Sequence, residues 1–218
     1  MSGNLVYLVE DDSAVRESLA LLLQLRGYST VGFDTAESFL AAGRLQRPAC
    51  ALLDIRLPGM SGLDLQRRLK EERSDLPVVV MTAHGDVSTA RRALRDGAVD
   101  FLEKPVDEAD LLAAVAAALQ SDQQRVERER EREQMQARMQ RLTDRETEVF
   151  ERVTNGLHNR EIAEEFGISQ RTVEVHRARL MEKLQARRVA DLFRLRFALD
   201  EVRDAGGVAT ASREARAA

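Results

Sequence analysis

Tryptophan is absent from this 218-residue sequence, aromatic residues make up only 4% of it, and there is a single cysteine, Cys50. One cysteine excludes an intrachain disulfide. Its place in the apolar run Cys50-Ala51-Leu52-Leu53 marks it as a small apolar residue of a buried strand. Long apolar runs are also lacking, since none approaches the ~18 residues that a membrane crossing needs. The first apolar stretch, Leu5 to Val9, meets Glu10, Asp11 and Asp12 at once, which is not the pattern of a signal peptide. These absences lead us to expect a cytoplasmic protein with no membrane partner. The length suits one ordinary domain and a smaller one.

The formal net charge of −4 is unevenly spread. Residues 1–121 carry 13 basic against 18 acidic side chains, whereas Ser169 to Arg196 carry eight against three. An acidic front half and a locally basic back half follow. The basic stretch permits nucleic-acid binding without establishing it.

Strand-like and helix-like stretches alternate through the first 120 residues. Leu5 to Val9 is a continuous apolar run of the kind buried parallel strands require. Asp12 or Ser13 caps a helix that Gly27 stops. Ser29 to Phe33 is a weaker strand, followed by a short helix at Ala36 to Ala42 and then a strand ending in Asp54. A helix over Gly62 to Glu71, a strand over Val78 to Thr82, a helix over Val87 to Asp96 and a strand over Val99 to Leu102 complete the alternation. A last helix starts at Glu108 and carries Leu111, Leu112, Val115 and Leu119 on one side. Five such repeats predict an α/β fold, a doubly wound parallel sheet with helices on both faces.

Residues 122–141 read as a charged helical linker, with no Gly or Pro between Arg125 and Glu133. Alternating Arg and Glu put opposite charges at i,i+3 but like charges at i,i+4, so helical pairing partly cancels. A solvated helix and an interrupted coiled coil between two protomers both fit. Residues 142–199 predict a compact all-helical unit. Thr143 and Glu146 hold capping-box positions, Gly167-Ile168-Ser169 is a tight turn, and a third helix runs to Leu184. A fourth follows from about Val189, and residues 200–218 read as a disordered tail.

Asp54 is the anomaly of the first unit, a carboxylate ending an apolar run and followed by the turn Pro58-Gly59-Met60-Ser61-Gly62. A buried carboxylate needs a compensating charge, hydrogen bond or metal. In an open α/β sheet, functional groups gather at the carboxyl ends of strands. Glu10, Asp11, Asp54, Thr82 and Lys104 all stand at such ends. Three carboxylates at one place call for a divalent cation, and oxygen-only ligation suits Mg²⁺. Asp54 is then a candidate nucleophile, with the Thr82 hydroxyl and the Lys104 ammonium able to stabilise phosphoryl oxygens. Lys104-Pro105 is a candidate cis peptide. Taken singly, each residue also has a plain reading as a solvated turn, a helix cap or a surface charge.

These residues give residues 5–120 a clear resemblance. Glu10-Asp11, Asp54 with Leu57 to Gly62, Thr82-Ala83 and Phe101-Leu102-Glu103-Lys104-Pro105 resemble the response-regulator receiver domain of bacterial two-component signalling. The resemblance implies strand order 2-1-3-4-5 and phosphorylation of Asp54 by a sensor histidine kinase. It also implies Mg²⁺ held by Asp11, Asp54, the Arg56 carbonyl and, through water, Glu10, which stands where many receivers have Asp. Phe101 takes the aromatic switch position coupled to Thr82, and His84 is a loop residue near the switch.

In the second unit, a helix, a turn with Gly167 and an Arg/Lys-bearing helix form a helix-turn-helix arrangement. Val173, Leu180 and Leu184 face inward. Arg171, Glu174, Val175, Ala178 and Arg179 are placed for base edges, with Thr172 beside them. Arg177, Lys183, Arg187 and Arg188 are placed for phosphates. Leu142 to Glu146, Glu161-Ile162-Ala163, Thr172 to Arg177 and Lys183-Leu184 resemble the LuxR-type DNA-binding domain. Glu174, where many members have Lys, is similar to the FixJ branch. It can accept a hydrogen bond from a cytosine amino group.

The expectation is a phosphorylation-switched transcription factor, not an enzyme, with domains at 1–121 and 142–199. Its partners would be a histidine kinase, double-stranded promoter DNA, RNA polymerase and, on phosphorylation, a second copy of itself. Two rivals stand beside it. One is a regulator that binds DNA independently of phosphorylation. The other is an aspartate-nucleophile phosphatase, which usually carries an Asp-x-Asp pair after strand one, whereas here Glu10 and Asp11 are adjacent.

Overall fold

A computed structural model of the chain describes residues 4–43, 45–72, 74–83, 87–197 and 199. His84 and the tail at 200–218 lie outside these residues. The chain divides into two compact units between Arg128 and Glu129.

The first unit is a five-stranded parallel sheet in the order β2-β1-β3-β4-β5. Its strands are β1 (Leu5–Val9), β2 (Ser29–Phe33), β3 (Ala49–Asp54), β4 (Val78–Thr82) and β5 (Asp100–Glu103). β1, β3 and β4 are buried along their whole length, as apolar runs flanked by strands on both sides must be. β2 and β5 are the edges, and the exposed residues of β2 explain why its sequence signal is weaker. The helices are α1 (Ser13–Leu25), α2 (Ala36–Ala41), α3 (Gly62–Glu71), α4 (Val87–Arg95) and α5 (Glu108–Met139). One apolar layer joins Tyr7, Phe39, Leu53, Leu65 and Val80. The other joins Leu8, Leu23, Leu52, Met81 and Leu111. Cys50 lies in the second layer, fully buried, where burial pushes its thiol up to about 12.

Local chemistry sets the element ends. The Asp12 carboxylate caps α1 through the N–H groups of Ala14 and Val15, satisfying donors that a helix start otherwise leaves open. Gly27, at φ +85°, ends the helix in the left-handed region. Ser61 caps α3 by accepting from the Asp64 N–H.

Gly62 opens α3 for a different reason. A Cβ there would stand 2.0 Å from the Asp54 carbonyl oxygen, so glycine lets the helix start directly against the end of β3.

α5 is longer than its apolar side predicts. It runs unbroken for 32 residues. Asp122, placed by composition at the head of the charged linker, is fully buried. Its carboxylate accepts from Arg47, from Arg125 and from the Ala49 backbone N–H at 2.8 Å. Arg125 also pairs with Asp75 at 3.0 Å. The start of β3 and this part of α5 are therefore joined by charge, and Asp122 is packed as part of the first unit.

The second unit contains α6 (Asp144–Thr154), α7 (Asn159–Phe166), α8 (Gln170–Leu184) and α9 (189–197). Val149, Phe150, Ile162, Val173, Leu180, Leu184 and Leu192 form its core. The Thr143/Glu146 capping box is present. Gly167, at φ +65°, ends α7, and Ser169 caps α8.

Candidate phosphoacceptor and DNA-binding sites

Parallel strands bring their carboxyl ends to one edge, and the order 2-1-3-4-5 sets β1 beside β3 and β3 beside β4. Leu53 pairs with Val9, and Asp54 with Met81. Glu10, Asp11, Asp54 and Thr82 thereby converge, although 44 positions separate Glu10 from Asp54 in the chain. Glu10, Asp54 and Thr82 are buried, while Asp11 is exposed. One ligand atom from each of Glu10, Asp11 and Asp54 lies within 4.8 Å of the others.

Lys104 reaches into this cluster from the end of β5. Its Nζ donates to Glu10 Oε2 and to Asp54 Oδ2, both at 2.6 Å. Its backbone N–H donates to the Thr82 carbonyl at 2.7 Å, and the Lys104–Pro105 bond is cis. Burial works against the Lys104 ammonium, but its bonds to Asp54 and Glu10 outweigh that and hold its pKa above the ordinary value. Burial pushes Glu10 upward, and the nearby Asp54 and Asp11 charges add to this. Lys104 offsets part of the shift. Glu10 and Asp54 thus share one ammonium.

The Arg56 N–H donates to Asp54 Oδ1 at 3.1 Å, which orients the carboxylate from the loop side. That loop is tied at Met60, whose N–H donates to Glu37 Oε1 at 3.0 Å. Phe101 is half-buried against the apolar layer of Tyr7 and Val80, next to Val80 in the register of β4 and β5.

Three oxygen donors from carboxylates, two of them buried, match what a small hard cation such as Mg²⁺ requires. A lone ammonium leaves the cluster net negative, so the residues present fit such an ion.

On α8, Arg171, Thr172, Glu174, Val175, Ala178 and Arg179 are all exposed, and Val173, Leu180 and Leu184 are buried. Arg171 Nη1 pairs with Glu174 Oε2 at 3.3 Å. Two basic residues expected at phosphates have partners inside the unit. Arg177 donates to Asn159 Oδ1 and Lys183 to Glu146 Oε2, each at 2.5 Å. The Arg187 and Arg188 N–H groups donate to the Asp191 carboxylate at the start of α9.

Comparison with known proteins gives each unit a family. Residues 6–116 match the response regulator receiver domain, and residues 140–195 match the luxR family of bacterial regulatory proteins. The chain belongs to the FixJ-type response regulators. It is 40% identical over 190 residues to the transcriptional regulatory protein FixJ of Bradyrhizobium diazoefficiens, covering 87% of this chain and 93% of that protein. To FixJ of Azorhizobium caulinodans it is 43% identical, covering 87% and 90%. Among solved structures, the response regulator StyR is 40% identical with a TM-score of 0.81, covering 88% of this chain and 96% of that one. This FixJ-type chain is a phosphorylation-dependent transcriptional regulator of a two-component system. A receiver domain implies a histidine kinase partner, and a LuxR-type domain implies DNA. No helix among the described residues is long and apolar enough to cross a membrane.

Sequence reading missed two residues that shape these sites, Arg16 and Glu37, which hold the loops on either side of the carboxylates. Gly62, read as part of the turn after Asp54, also makes the close approach to Asp54. Arg16 had a faint signal, an arginine one helical turn after Asp12. Nothing in the sequence marks Glu37.

Proposed function

We propose that Asp54 is the phosphoacceptor of this regulator. Its carboxylate oxygen attacks the phosphorus of the kinase's phosphohistidine, a new O–P bond forms, the N–P bond breaks and the imidazole leaves. Glu10, Asp11, Asp54 and the Arg56 carbonyl would hold Mg²⁺, which when bound neutralises the carboxylates and the incoming phosphoryl oxygens. Lys104 exchanges its bond to Asp54 for one to a phosphoryl oxygen, and Thr82 offers its hydroxyl to another. The observation that carries this reading is the pair of 2.6 Å bonds from Lys104 to Glu10 and Asp54, which hold an ammonium where phosphoryl charge would develop.

Movement of Thr82 and Lys104 toward the phosphoryl group then draws Phe101 inward and alters the face made by α4, β5 and α5. Two protomers pair on that face, in the region Val87 to Leu119, and set two α8 helices on adjacent half-sites. Moving such an equilibrium from mostly off to mostly on takes about 5.5 kcal/mol of differential stabilisation. On DNA, Arg171, Thr172, Glu174, Val175, Ala178 and Arg179 meet the major groove, with Arg177 and Lys183 toward phosphates once released from their partners. The bound regulator engages RNA polymerase in the cytoplasm. Residues 1–121, 122–141 and 142–199 serve as receiver, linker and DNA-binding domain, and the chain has no activity on an external substrate.

The test uses beryllofluoride or a small phosphodonor with Mg²⁺, followed by mass, oligomeric state and promoter affinity, on wild type and Asp54→Asn. Wild type should gain one phosphoryl group, dimerise and bind promoter DNA more tightly, and Asp54→Asn should do none of these. Equal dimerisation and affinity in the two proteins would defeat the switch.

A further inference from the structure

Arg16 lies in the opening turns of α1 and is half-buried. Its Nη1 donates to the carbonyl oxygen of Glu10 at 2.5 Å and to that of Asp11 at 3.3 Å. These are the two consecutive residues whose carboxylates join Asp54 in the acidic cluster. The Arg16 backbone N–H donates to the Asp12 carbonyl at 2.9 Å, so both ends of the residue are tied to one loop. Gly32, on the edge strand β2, supplies an independent observation. A Cβ there would lie 3.1 Å from Arg16 Cδ and 3.4 Å from its Cγ. The missing side chain leaves the lane along which Arg16 runs to the loop.

We propose that Arg16 is a positioning residue for the metal ligands. Its guanidinium clamps the backbone of Glu10 and Asp11 so that both carboxylates converge beside Asp54. The proposal rests on the reading of Glu10, Asp11 and Asp54 as a Mg²⁺ site.

Two effects of Arg16 on a bound cation oppose each other. Its positive charge repels the ion, whereas its hydrogen bonds fix a loop that would otherwise have to be ordered on binding. The repulsion acts from a half-exposed side chain whose field water and salt screen. The clamp acts directly on the two ligand residues. Partners that orient ligands are commonly worth about 10- to 100-fold in metal affinity, so orientation outweighs repulsion. A lysine would keep the charge but replace the planar guanidinium, whose Nη1 serves both carbonyls, with a flexible point-charge ammonium.

The experiment titrates the full chain with Mg²⁺ alone, follows the backbone amides near Glu10 and Asp54 by NMR, and records metal-free thermal melts in parallel. Arg16→Gln should weaken Mg²⁺ binding about tenfold or more, and Arg16→Lys should weaken it in the same direction. Gly32→Val leaves the arginine chemically intact but fills its lane, and should also weaken binding. A purely structural role would lower the melting temperature and leave the Mg²⁺ affinity of the folded protein unchanged, and that outcome overturns the proposal. So does tighter binding by Arg16→Gln, which would mean that repulsion dominates. Should Arg16→Gln fail to fold, Arg16→Lys and Gly32→Val decide the matter by the same criterion. A wild-type protein that binds no Mg²⁺ defeats the metal reading and this proposal together. Wild-type binding with unaltered variants defeats the clamp alone.

Discussion

The Lys104 ammonium stands 2.6 Å from Asp54 Oδ2, although the strands that carry them, β5 and β3, are separated by β4. It is also bonded to Glu10, so one cation serves two buried carboxylates. Removing it leaves both acids without their partner, which is the damaging way to break a buried ion pair. Lys104→Met should lower metal-free stability by about 1–3 kcal/mol. Saturating Mg²⁺ should narrow the gap, because the metal replaces the lost charge. Urea unfolding of both proteins with and without Mg²⁺ checks this.

Gly62→Ala tests the approach of α3 to β3. The new methyl would sit 2.0 Å from the Asp54 carbonyl oxygen and 2.9 Å from its carbon, both backbone atoms that no rotamer change can move. The end of β3 must shift, taking the Asp54 carboxylate with it. A loss of about 2–4 kcal/mol in stability is expected, together with slower labelling by a small phosphodonor. Normal labelling in a fully stable Gly62→Ala protein would contradict the geometry.

Asp122→Ala removes the acceptor shared by Arg47, Arg125 and the Ala49 N–H. The buried Ala49 N–H loses its partner and two guanidinium groups are left with their contacts to Asp75, so the first unit should be destabilised by about 3 kcal/mol. Asp122→Asn retains an acceptor and should lose less. Hydrogen exchange should rise first at Ala49 and its neighbours in β3.

The second unit has a pH-dependent element. Burial alone would raise the Glu146 pKa, but the Lys183 bond and the Thr143 backbone and side-chain bonds together hold it below its ordinary value of 4.5. A carboxyl held low in the folded state stabilises the fold above its unfolded pKa, and that contribution disappears as pH falls through the folded pKa. The stability advantage of wild type over Glu146→Gln should therefore be full near neutrality and shrink below the ordinary carboxylate range. Chemical unfolding of both proteins at several acidic pH values measures it. An advantage that grew on acidification would refute the assignment.

Arg171 and Glu174 carry the exposed charge at the start of α8 and pair with each other at 3.3 Å. If Arg177 leaves Asn159 to meet DNA phosphate, Arg177→Ala should weaken binding to all sequences alike and lower the salt slope by about 1. If Glu174 reads a cytosine amino group, Glu174→Ala should lose discrimination at one base pair, by about 1–3 kcal/mol, while affinity for other sequences changes little. Competition binding at several salt concentrations separates the two roles.

Much of this arrangement is legible in the chain because its signals are local. Apolar runs mark β1, β3 and β4, Asp12, Thr143 and Ser169 mark helix starts, and Gly27 and Gly167 mark helix ends. Glu10, Asp54 and Thr82 stand out because each follows or ends such a run, and Lys104 because it stands between the end of β5 and Pro105. Asp122 escaped notice because a single Asp beside a run of alternating Arg and Glu has no signature. Its burial depends on Arg47, 75 residues away. Lys183 likewise looks like any basic residue on a DNA-facing helix until Glu146 is seen beside it.

The sequence by itself determined the strand and helix succession, the chemistry gathered at the strand ends and the helix-turn-helix, because hydrophobic periodicity, capping and turn residues act over a few positions. Only the tertiary structure decided which charges are shared. Lys104 serves Glu10 and Asp54, Arg16 holds the backbone of Glu10 and Asp11, Asp122 is buried between two arginines, and Lys183 turns to Glu146. Such partnerships depend on distances across a folded sheet or between packed helices, and side-chain type alone does not encode those distances.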